Sequence, residues 1–253
     1  QADPGYWNSG SWTDGGIPTA TPLGQWGVAG QPPNGNSTYS TGPYDIYSNP
    51  FAPNDSFNGQ SLRIPTGGRL FIPNGNTTTS ANLILDGGRL VMFDRSPFQP
   101  QGSQNGFTST TITIASDSVV DMSAVPRDTT LELGGSISGS GTLRVTGEGT
   151  GGTGQPNKVI FSPNNNTNFT NFTGGFAVDS GILSVNEGIF PSSAPIEIAA
   201  GARFELAQGQ GAGQVRLGAI TGTGTFAFGS NLIIGDGNAS GTFDGTFAGI
   251  GGL

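Results

Sequence analysis

The sequence predicts an all-β protein whose strands stack as a parallel solenoid, and three observations support this prediction. Glycine occupies 45 of the 253 positions, and this density opposes helices because glycine loses more backbone entropy in a helix than any other residue. Apolar residues recur in short blocks in which they alternate with polar ones, as in half-buried strands. Similar blocks return about every 20 residues, which indicates coils that stack on one another.

The repeated unit is clearest in two segments that share a Gly-Gly-Arg-Leu corner. Residues 62–72 read LRIPTGGRLFI and residues 83–93 read LILDGGRLVMF, at an offset of 20 to 21 residues. Each unit is a period-2 strand, a corner of small residues and a second period-2 strand. Parallel stacking places leucine over leucine, whereas a hairpin would require tight two-residue turns. Stacking is therefore favoured. Related units begin at Ile112, Thr130, Phe176, Ile196 and Val215.

Two regions are predicted along the chain, with a boundary near Phe57. Residues 1–56 contain all three tryptophans and all four tyrosines, and they are expected to form an extended Pro/Gly-rich segment that serves as a cap or a subunit interface. Residues 57–253 are expected to form the solenoid. From Leu62 onward this region has room for roughly nine to ten coils, and at ~4.8 Å per coil the column would be about 45 Å long.

Composition excludes several functions. The chain has 17 acidic and 9 basic residues and a net charge of −8, which argues against nucleic-acid binding because that needs a basic surface. No run approaches the ~20 apolar residues of a membrane-spanning helix, so no membrane insertion of this chain is predicted. Histidine and cysteine are absent, which removes disulfides and histidine-based chemistry. We expect no cofactor and no metal ion.

A cluster of charged residues is the best candidate for catalysis. Glycosidases use paired carboxylates, and stacking of the coils could bring such pairs together. The favoured interpretation is structural: Arg69 and Arg89 stack on the outer face and pair with Asp86 or Asp94, as surface ions commonly do. We therefore expect no catalytic residue. The charged residues that stacking would bring together are Asp86, Arg89, Asp94 and Arg95, with Arg69, Asp117 and Asp121 on adjacent coils.

Three further patterns are also interpreted as structural. The acidic loop at residues 235–238, with Asp244, lacks the repeated motif of calcium-binding rolls and is expected to be a turn. The Thr-x-Thr spacing of ice-binding arrays at residues 111–113 and 221–225 is too sparse to form a flat array over many coils. Seven Asn-x-Ser/Thr sequences are interpreted as ladder or loop residues rather than glycosylation sites. They begin at Asn36, Asn54, Asn76, Asn165, Asn168, Asn171 and Asn238.

Several segments resemble the autotransporter-associated β-strand repeat of bacterial autotransporter passenger domains. Residues 137–143, ISGSGTL, are similar to the I-x-G-x-G-T-L part of that repeat. Residues 168–185, NFTNFTGGFAVDSGILSV, are similar to its Asn/Thr-rich stretch followed by T-G-G-x-x-V-x-x-G-x-L-x-V. Residues 217–249 also resemble the family. The resemblance covers about residues 57–253, and it implies a right-handed parallel β-helix exported to the bacterial surface.

We predict a non-enzymatic extracellular structural protein, a subunit of a bacterial surface fibre that assembles head-to-tail with copies of itself. The aromatic segment would cover the open C-terminal coil of the next subunit. Two alternatives stay open: a monomeric adhesin or glycan-binding passenger whose aromatic side chains stack on sugars, and a polysaccharide lyase or glycosidase. The predicted interface residues are Tyr6, Trp7, Trp12, Trp26, Tyr39, Tyr44, Tyr47, Phe243, Phe247 and Ile250.

Overall fold

The computed structural model describes residues 5–6, 38–43, 45–48, 54–57, 59–74, 78–94, 104–149, 154–161, 167–207 and 214–249. Within these ranges there are two short 3-10 turns, Glu187–Ile189 and Asp236–Asn238, and no α-helix, hence none that could cross a membrane. The strands are β1 (Gly5–Tyr6), β2 (Thr38–Ser40), β3 (Asp45–Tyr47), β4 (Asn54–Ser56), β5 (Ser61–Pro65), β6 (Arg69–Pro73), β7 (Thr78–Ser80), β8 (Leu83–Asp86), β9 (Arg89–Phe93), β10 (Gln104–Ser116), β11 (Ser118–Asp121), β12 (Thr130–Gly139), β13 (Leu143–Thr146), β14 (Lys158–Phe161), β15 (Asn168–Phe172), β16 (Phe176–Val178), β17 (Ile182–Asn186), β18 (Ile196–Ile198), β19 (Arg203–Ala207), β20 (Gln214–Leu217), β21 (Ile220–Gly222), β22 (Thr225–Phe228), β23 (Asn231–Ile234) and β24 (Thr246–Gly249).

The strands pair in parallel with the equivalent strands of neighbouring coils, which confirms the predicted solenoid. One sheet has nine strands, in the order β1-β3-β6-β9-β11-β13-β16-β18-β21. A second has 13 strands and covers two faces, because β10 and β12 each continue around a corner and pair with two strands per coil. β20 and β23 form a separate parallel pair. Stacking, and not hairpin pairing, therefore builds the fold.

The register places like residues over like residues along the column. Leu62 lies opposite Leu83 and Leu70 lies opposite Leu90, as the two Gly-Gly-Arg-Leu segments predict. In many strands alternate residues point inward, so β5 buries Leu62 and Ile64 and leaves Arg63 exposed. Burial of such side chains contributes about 25 cal/mol per Å² of apolar surface, and this is the main stabilising term of the fold.

The number of coils is lower than predicted. The described part of the nine-stranded sheet contains about seven turns between Leu70 and Phe243, not nine to ten. The coils differ in length, because Leu70 and Leu90 are 20 residues apart whereas Val145 and Val178 are 33 apart. At ~4.8 Å per coil, seven turns give a column of about 34 Å. The paired residues run through Leu70, Leu90, Val120, Val145, Val178, Ile198, Gly222 and Phe243.

The boundary predicted near Phe57 does not separate a cap from the solenoid. β2 precedes that boundary, yet Tyr39 lies opposite Leu62 in the 13-stranded sheet. β3 precedes it too, with Ile46 opposite Leu70 in the nine-stranded sheet. Tyr39 and Ile46 are both buried in the common core. The solenoid therefore includes coils that start no later than Thr38, because their strands present the same inward-facing pattern as the later coils.

The core side chains change from mainly aliphatic to mainly aromatic along the column. Between residues 62 and 145 its buried side chains are mainly Leu, Ile, Val and Met. From Phe161 onward an aromatic column continues through Phe176, Phe204 and Phe226, with ring centroids 5.6 to 6.3 Å apart. Phe204 and Phe226 are stacked with an interplanar angle of 7°. The C-terminal half is therefore packed largely by aromatic rings that contact one another along the column.

One buried asparagine satisfies the polar groups of the longest turns. The side chain of Asn157 donates to the carbonyl oxygens of Met122, at 2.9 Å, and Val125, at 3.3 Å. Its Oδ1 accepts from the backbone N–H of Thr129 at 3.0 Å. Because Asn157 is fully buried, these bonds replace water for three backbone groups that would otherwise be unsatisfied. The side chain thus links adjacent coils where the chain departs from the sheet.

Candidate functional site

The charged cluster predicted from the sequence is divided among separate ion pairs. Arg69 lies over Arg89 in the register, as expected, but the predicted partners are wrong. Arg69 donates through Nε and Nη2 to the two carboxylate oxygens of Asp45, both at 2.6 Å. Arg89 pairs with Asp121 at 3.3 Å. Each arginine thus reaches the coil before or after its own, where a carboxylate occupies an equivalent outward position.

The other predicted members of the cluster do not complete a paired-carboxylate site. Asp117 accepts a hydrogen bond from the backbone N–H of Thr142 at 2.7 Å. Asp94 is exposed just after β9, and Arg95 lies outside the described residues. Among the described residues, no three acidic side chains form a group that could hold a metal ion. The outer charges that the structure describes hold coils together instead.

Ion pairing extends over the whole described surface. All eight lysine and arginine residues in the described ranges pair with a carboxylate, most of them on another coil. Each exposed pair contributes only about 0.2–1 kcal/mol, so their role is to fix register rather than to provide most of the stability. The pairs are Arg63–Asp86, Arg69–Asp45, Arg89–Asp121, Arg127–Glu148, Arg144–Asp179, Arg144–Glu197, Lys158–Glu205, Arg203–Glu205 and Arg216–Asp236.

These pairs make stability depend on pH in the acid range. Hydrogen bonds from Arg63 and Ser116 lower the pKa of Asp86. Burial by itself would raise the pKa of Asp121, but hydrogen bonds chiefly from Ser123 outweigh it, so that pKa is also lowered. A carboxyl whose folded pKa lies below its unfolded value stabilises the fold above the unfolded pKa, and this stabilisation is lost as pH falls through the folded pKa.

We expect the contribution of these two carboxylates to the melting temperature to be constant around neutral pH and to be lost as the pH falls below about 4, the usual pKa of aspartate. Circular dichroism melts across this range measure the effect. The Asp86→Asn variant should melt lower than the wild type at neutral pH and lose less on acidification. If the melting temperatures of the wild type and of Asp86→Asn fell in parallel down to the lowest pH, Asp86 would not be a source of the pH dependence.

The loop predicted to be a turn rather than a calcium site forms the 3-10 turn Asp236–Asn238. Its carboxylate is already engaged, because Asp236 accepts from the hydroxyl of Ser193 at 2.8 Å and from Arg216 at 3.2 Å. These bonds lower the pKa of Asp236, with the Ser193 bond the largest cause. Gly235 and Asn238 both have positive φ angles, of 87° and 60°, which turns commonly require. The loop thus ties its coil to an earlier one.

Two of the other sequence patterns can be located on the surface. The exposed Thr111 and the half-buried Thr113 lie in β10, and the hydroxyl of Thr113 is 3.3 Å from that of Ser138 on the next coil. Asn168, Asn171 and Asn238 of the Asn-x-Ser/Thr sequences are exposed. These five residues therefore occupy outward positions, as ladder and loop residues do, whereas Asn36, Asn76 and Asn165 lie outside the described residues.

The predicted amino-terminal interface residues are only partly described. Tyr39 is 2% exposed and packs edge-on against Phe57, with ring centroids 5.8 Å apart, so its side chain belongs to the core of its own chain. Tyr47 is half-buried and stacks on Phe71 at 4.4 Å, and burial is the main cause of its raised pKa. Tyr6 lies opposite Tyr47 in the pairing of β1 with β3. Trp7, Trp12, Trp26, Tyr44 and Ile250 lie outside the described residues.

The last described coil brings the predicted carboxy-terminal interface residues together. Phe247, in β24, contacts Phe243 at 4.9 Å and Phe226 at 5.9 Å between ring centroids. Phe247 is 37% exposed and Ile234 is 42% exposed, and no other large apolar side chain in the described ranges is as exposed. β24 pairs with β22 and with no other described strand. The aromatic column therefore reaches solvent beside a strand with one unpaired edge.

Comparisons of the chain with protein-family models, with curated proteins and with solved structures find no match. The class of the protein is therefore defined by its own geometry. It is a parallel β-solenoid protein with an ion-paired outer surface and an aromatic column that is exposed at the C-terminal coil.

Proposed function

We propose that this chain is a non-enzymatic structural protein of the bacterial cell surface, a subunit that assembles head-to-tail into a fibre. The observation that carries the proposal is the last described coil. There, Phe247 extends the aromatic column but is left 37% exposed, whereas Phe226 one coil earlier is fully buried. An apolar layer of this kind is stabilised when another layer covers it.

The unpaired edge of β24 supports the same assembly. The edge of a parallel strand presents free N–H and C=O groups, which act as a template for another strand. Parallel stacking gives the solenoid a direction, so a contact between one end and the other is heterologous. Heterologous contacts form open filaments unless they close into rings.

The partner that fits this end is a second copy of the chain. Residues 1–56 contain all of its tryptophan and tyrosine, side chains that bury large apolar area while keeping one polar group. Tyr6, Trp7, Trp12, Trp26 and Tyr44 supply the surface that would cover Phe243, Phe247 and Ile250. Tyr39 is omitted from this surface because it packs inside its own subunit.

The surface location and the lack of catalysis are supported by different observations. The resemblance of residues 57–253 to passenger repeats favours export to the cell surface. The ion pairs favour a structural role, because every described arginine and lysine side chain contacts a carboxylate that helps to fix the coils. A fibre subunit needs repeated stacking and not a reactive centre.

A charge placed on the exposed aromatic layer tests the assembly. We expect the wild-type chain to form long unbranched filaments in negative-stain electron microscopy at micromolar concentration. The Phe247→Asp variant should remain as short isolated rods, because an unpaired carboxylate would be buried in the joint. Replacing Trp7, Trp12 and Trp26 together by alanine should also prevent filament formation, because it removes the aromatic side chains from the other half of the joint.

Val119→Asp is the matched control for the interface variant. Val119 is partly exposed in β11, which pairs on both sides, so the new charge lies on the lateral face away from the ends. This variant should still form filaments. Isolated wild-type rods, or filaments of Phe247→Asp as long as those of the wild type, would contradict the proposal.

A further inference from the structure

A cleft of about 380 Å³ lies on the outer surface, away from both ends of the solenoid. It is formed where the long coil that precedes β14 meets β17 and β19. Its size is within the ~300–1,000 Å³ of small-molecule sites. Its lining includes the polar side chains of Asp128, Gln155, Lys158, Arg203 and Glu205, together with Pro156.

One wall of the cleft is a charged triad held in a fixed geometry. Glu205 accepts from Lys158 Nζ at 2.8 Å through Oε2 and from Arg203 Nε at 2.7 Å through Oε1. Both carboxylate oxygens are thereby used, and the side chain of Glu205 is only 19% exposed. The two terminal nitrogens of Arg203 have no hydrogen-bond partner among the described residues, and this side chain is 44% exposed. The wall therefore offers N–H donors in defined positions.

Asp128 and Gln155, which also line the cleft, offer acceptors. Asp128 and Gln155 are joined by two hydrogen bonds, from Asp128 N to Gln155 O at 2.9 Å and from Gln155 N to Asp128 Oδ1 at 2.7 Å. Asp128 adopts the left-handed conformation, with φ of 65°, which directs its carboxylate across the turn. Oδ2 of Asp128 then lies against Gly154, where a β-carbon would come within 1.8 Å of it. A side chain at position 154 would therefore displace this carboxylate from its present position.

We propose that this cleft binds a hexose unit of a neutral polysaccharide. A sugar ring combines hydroxyl groups, which donate and accept hydrogen bonds, with apolar C–H faces. The cleft combines donors on Arg203 and Lys158, acceptors on Asp128, and apolar surface chiefly on the half-buried Pro156. Small-molecule sites commonly pair an apolar lining with a few fixed polar groups in this way.

Charge favours a neutral ligand over an anionic one. Arg203 and Lys158 are both paired with Glu205, and Asp128 adds a second carboxylate, so the four ionic side chains sum to zero. The whole chain carries a net charge of −8, which disfavours approach of an anion. A uronate or a phosphate would therefore meet no excess positive charge. This inference is independent of fibre assembly, because none of the cleft residues belongs to the proposed joint.

Titration of the full-length protein with glucose, galactose and mannose tetrasaccharides, followed by saturation-transfer NMR and calorimetry, tests the proposal. We expect at least one of the three to bind, and Arg203→Gln to weaken that binding about tenfold or more through loss of charge-assisted hydrogen bonds. Asp128→Asn should also weaken it while preserving the turn, because asparagine tolerates positive φ. Arg63→Gln is the matched control, since Arg63 is equally exposed at 44% and ion-paired on a distant coil.

The same titration includes glucuronate and inorganic phosphate as anionic probes. Failure of all three neutral tetrasaccharides to bind would overturn the proposal, as would equal affinity of the wild type and Arg203→Gln. Preferential binding of either anion would also overturn it, because recognition would then depend on charge. Binding that is weakened in Arg203→Gln and unchanged in Arg63→Gln would support the cleft as the site.

Discussion

Replacing Gly139 by alanine is expected to lower the free energy of unfolding by about 3–5 kcal/mol. Gly139 has a φ of 109°, a conformation that L side chains rarely adopt. A β-carbon at this position would lie 2.2 Å from the carbonyl oxygen of Ile114, its partner on the preceding coil. Both coils are fixed by the sheet, so neither backbone can move aside without losing ladder hydrogen bonds. Urea denaturation followed by circular dichroism measures the loss.

Gly201→Ala separates the collision from the backbone conformation. Gly201 also has positive φ, 80°, but no atom lies within 4 Å of the position that its β-carbon would occupy. This variant should lose only the cost of the left-handed conformation, about 1–2 kcal/mol. If both variants lost the same free energy of unfolding, the contact with Ile114 would add nothing to the cost of the left-handed conformation at Gly139.

Phe204→Ala is expected to lower the free energy of unfolding by about 3–5 kcal/mol, because it interrupts the aromatic column at its centre. Phe204 is fully buried and contacts Phe176, Phe190 and Phe226, with ring centroids 5.6 to 6.2 Å apart. Alanine would leave a cavity that the neighbouring coils cannot close, because the backbone of each coil is fixed by its sheet hydrogen bonds. Because each coil of a solenoid contacts mainly its neighbours, hydrogen exchange should increase most in β17, β19 and β22.

Two variants test whether the loss comes from the cavity. Phe204→Leu keeps an apolar side chain in the site and should cost less than half as much as the alanine change. Phe247→Ala removes the same ring from the last described coil, where it is 37% exposed, and should cost about 1 kcal/mol. A loss at Phe204 no larger than at Phe247 would mean that the column does not stabilise the C-terminal half. Uniform hydrogen exchange across all coils would contradict the local effect.

The sequence was sufficient to predict the architecture, because the signals for it are local. The recurrence of Leu62 as Leu83 and of Leu70 as Leu90 predicted the register that the sheets have. Alternation of apolar and polar residues predicts which side chains face the core in strands such as β5 and β13. Parallel stacking then followed, since identical residues at a constant offset favour layers that place like on like.

The number of coils and the start of the solenoid were predicted incorrectly for the same reason. A constant offset of about 20 residues describes only some coils, whereas others are lengthened to 33 residues by loops that leave the sheet. These insertions carry no periodic signal. Short strands such as β2 and β3 contribute a single inward residue each, Tyr39 and Ile46, which is too few to show alternation.

The partners in the ion pairs could not be predicted from the sequence either. Proximity in the repeat predicts that Arg69 pairs with acidic residues that follow it. Its actual partner, Asp45, lies 24 residues before it on the preceding coil. The carboxylate of Glu205 meets Lys158, 47 residues away, because β14 and β19 lie on either side of β17. No pattern within one repeat unit indicates such a contact.

Sequence patterns alone indicate that this chain winds into stacked parallel coils with glycine at sharp corners and alternate residues in a common core. Those properties depend on backbone freedom and on period-2 burial, which neighbouring residues decide. The lengths of the individual coils, the partners of the ion pairs and the cleft around Glu205 become defined only in the folded chain. These features depend on the summed lengths of intervening loops, so they form only once the whole column is assembled.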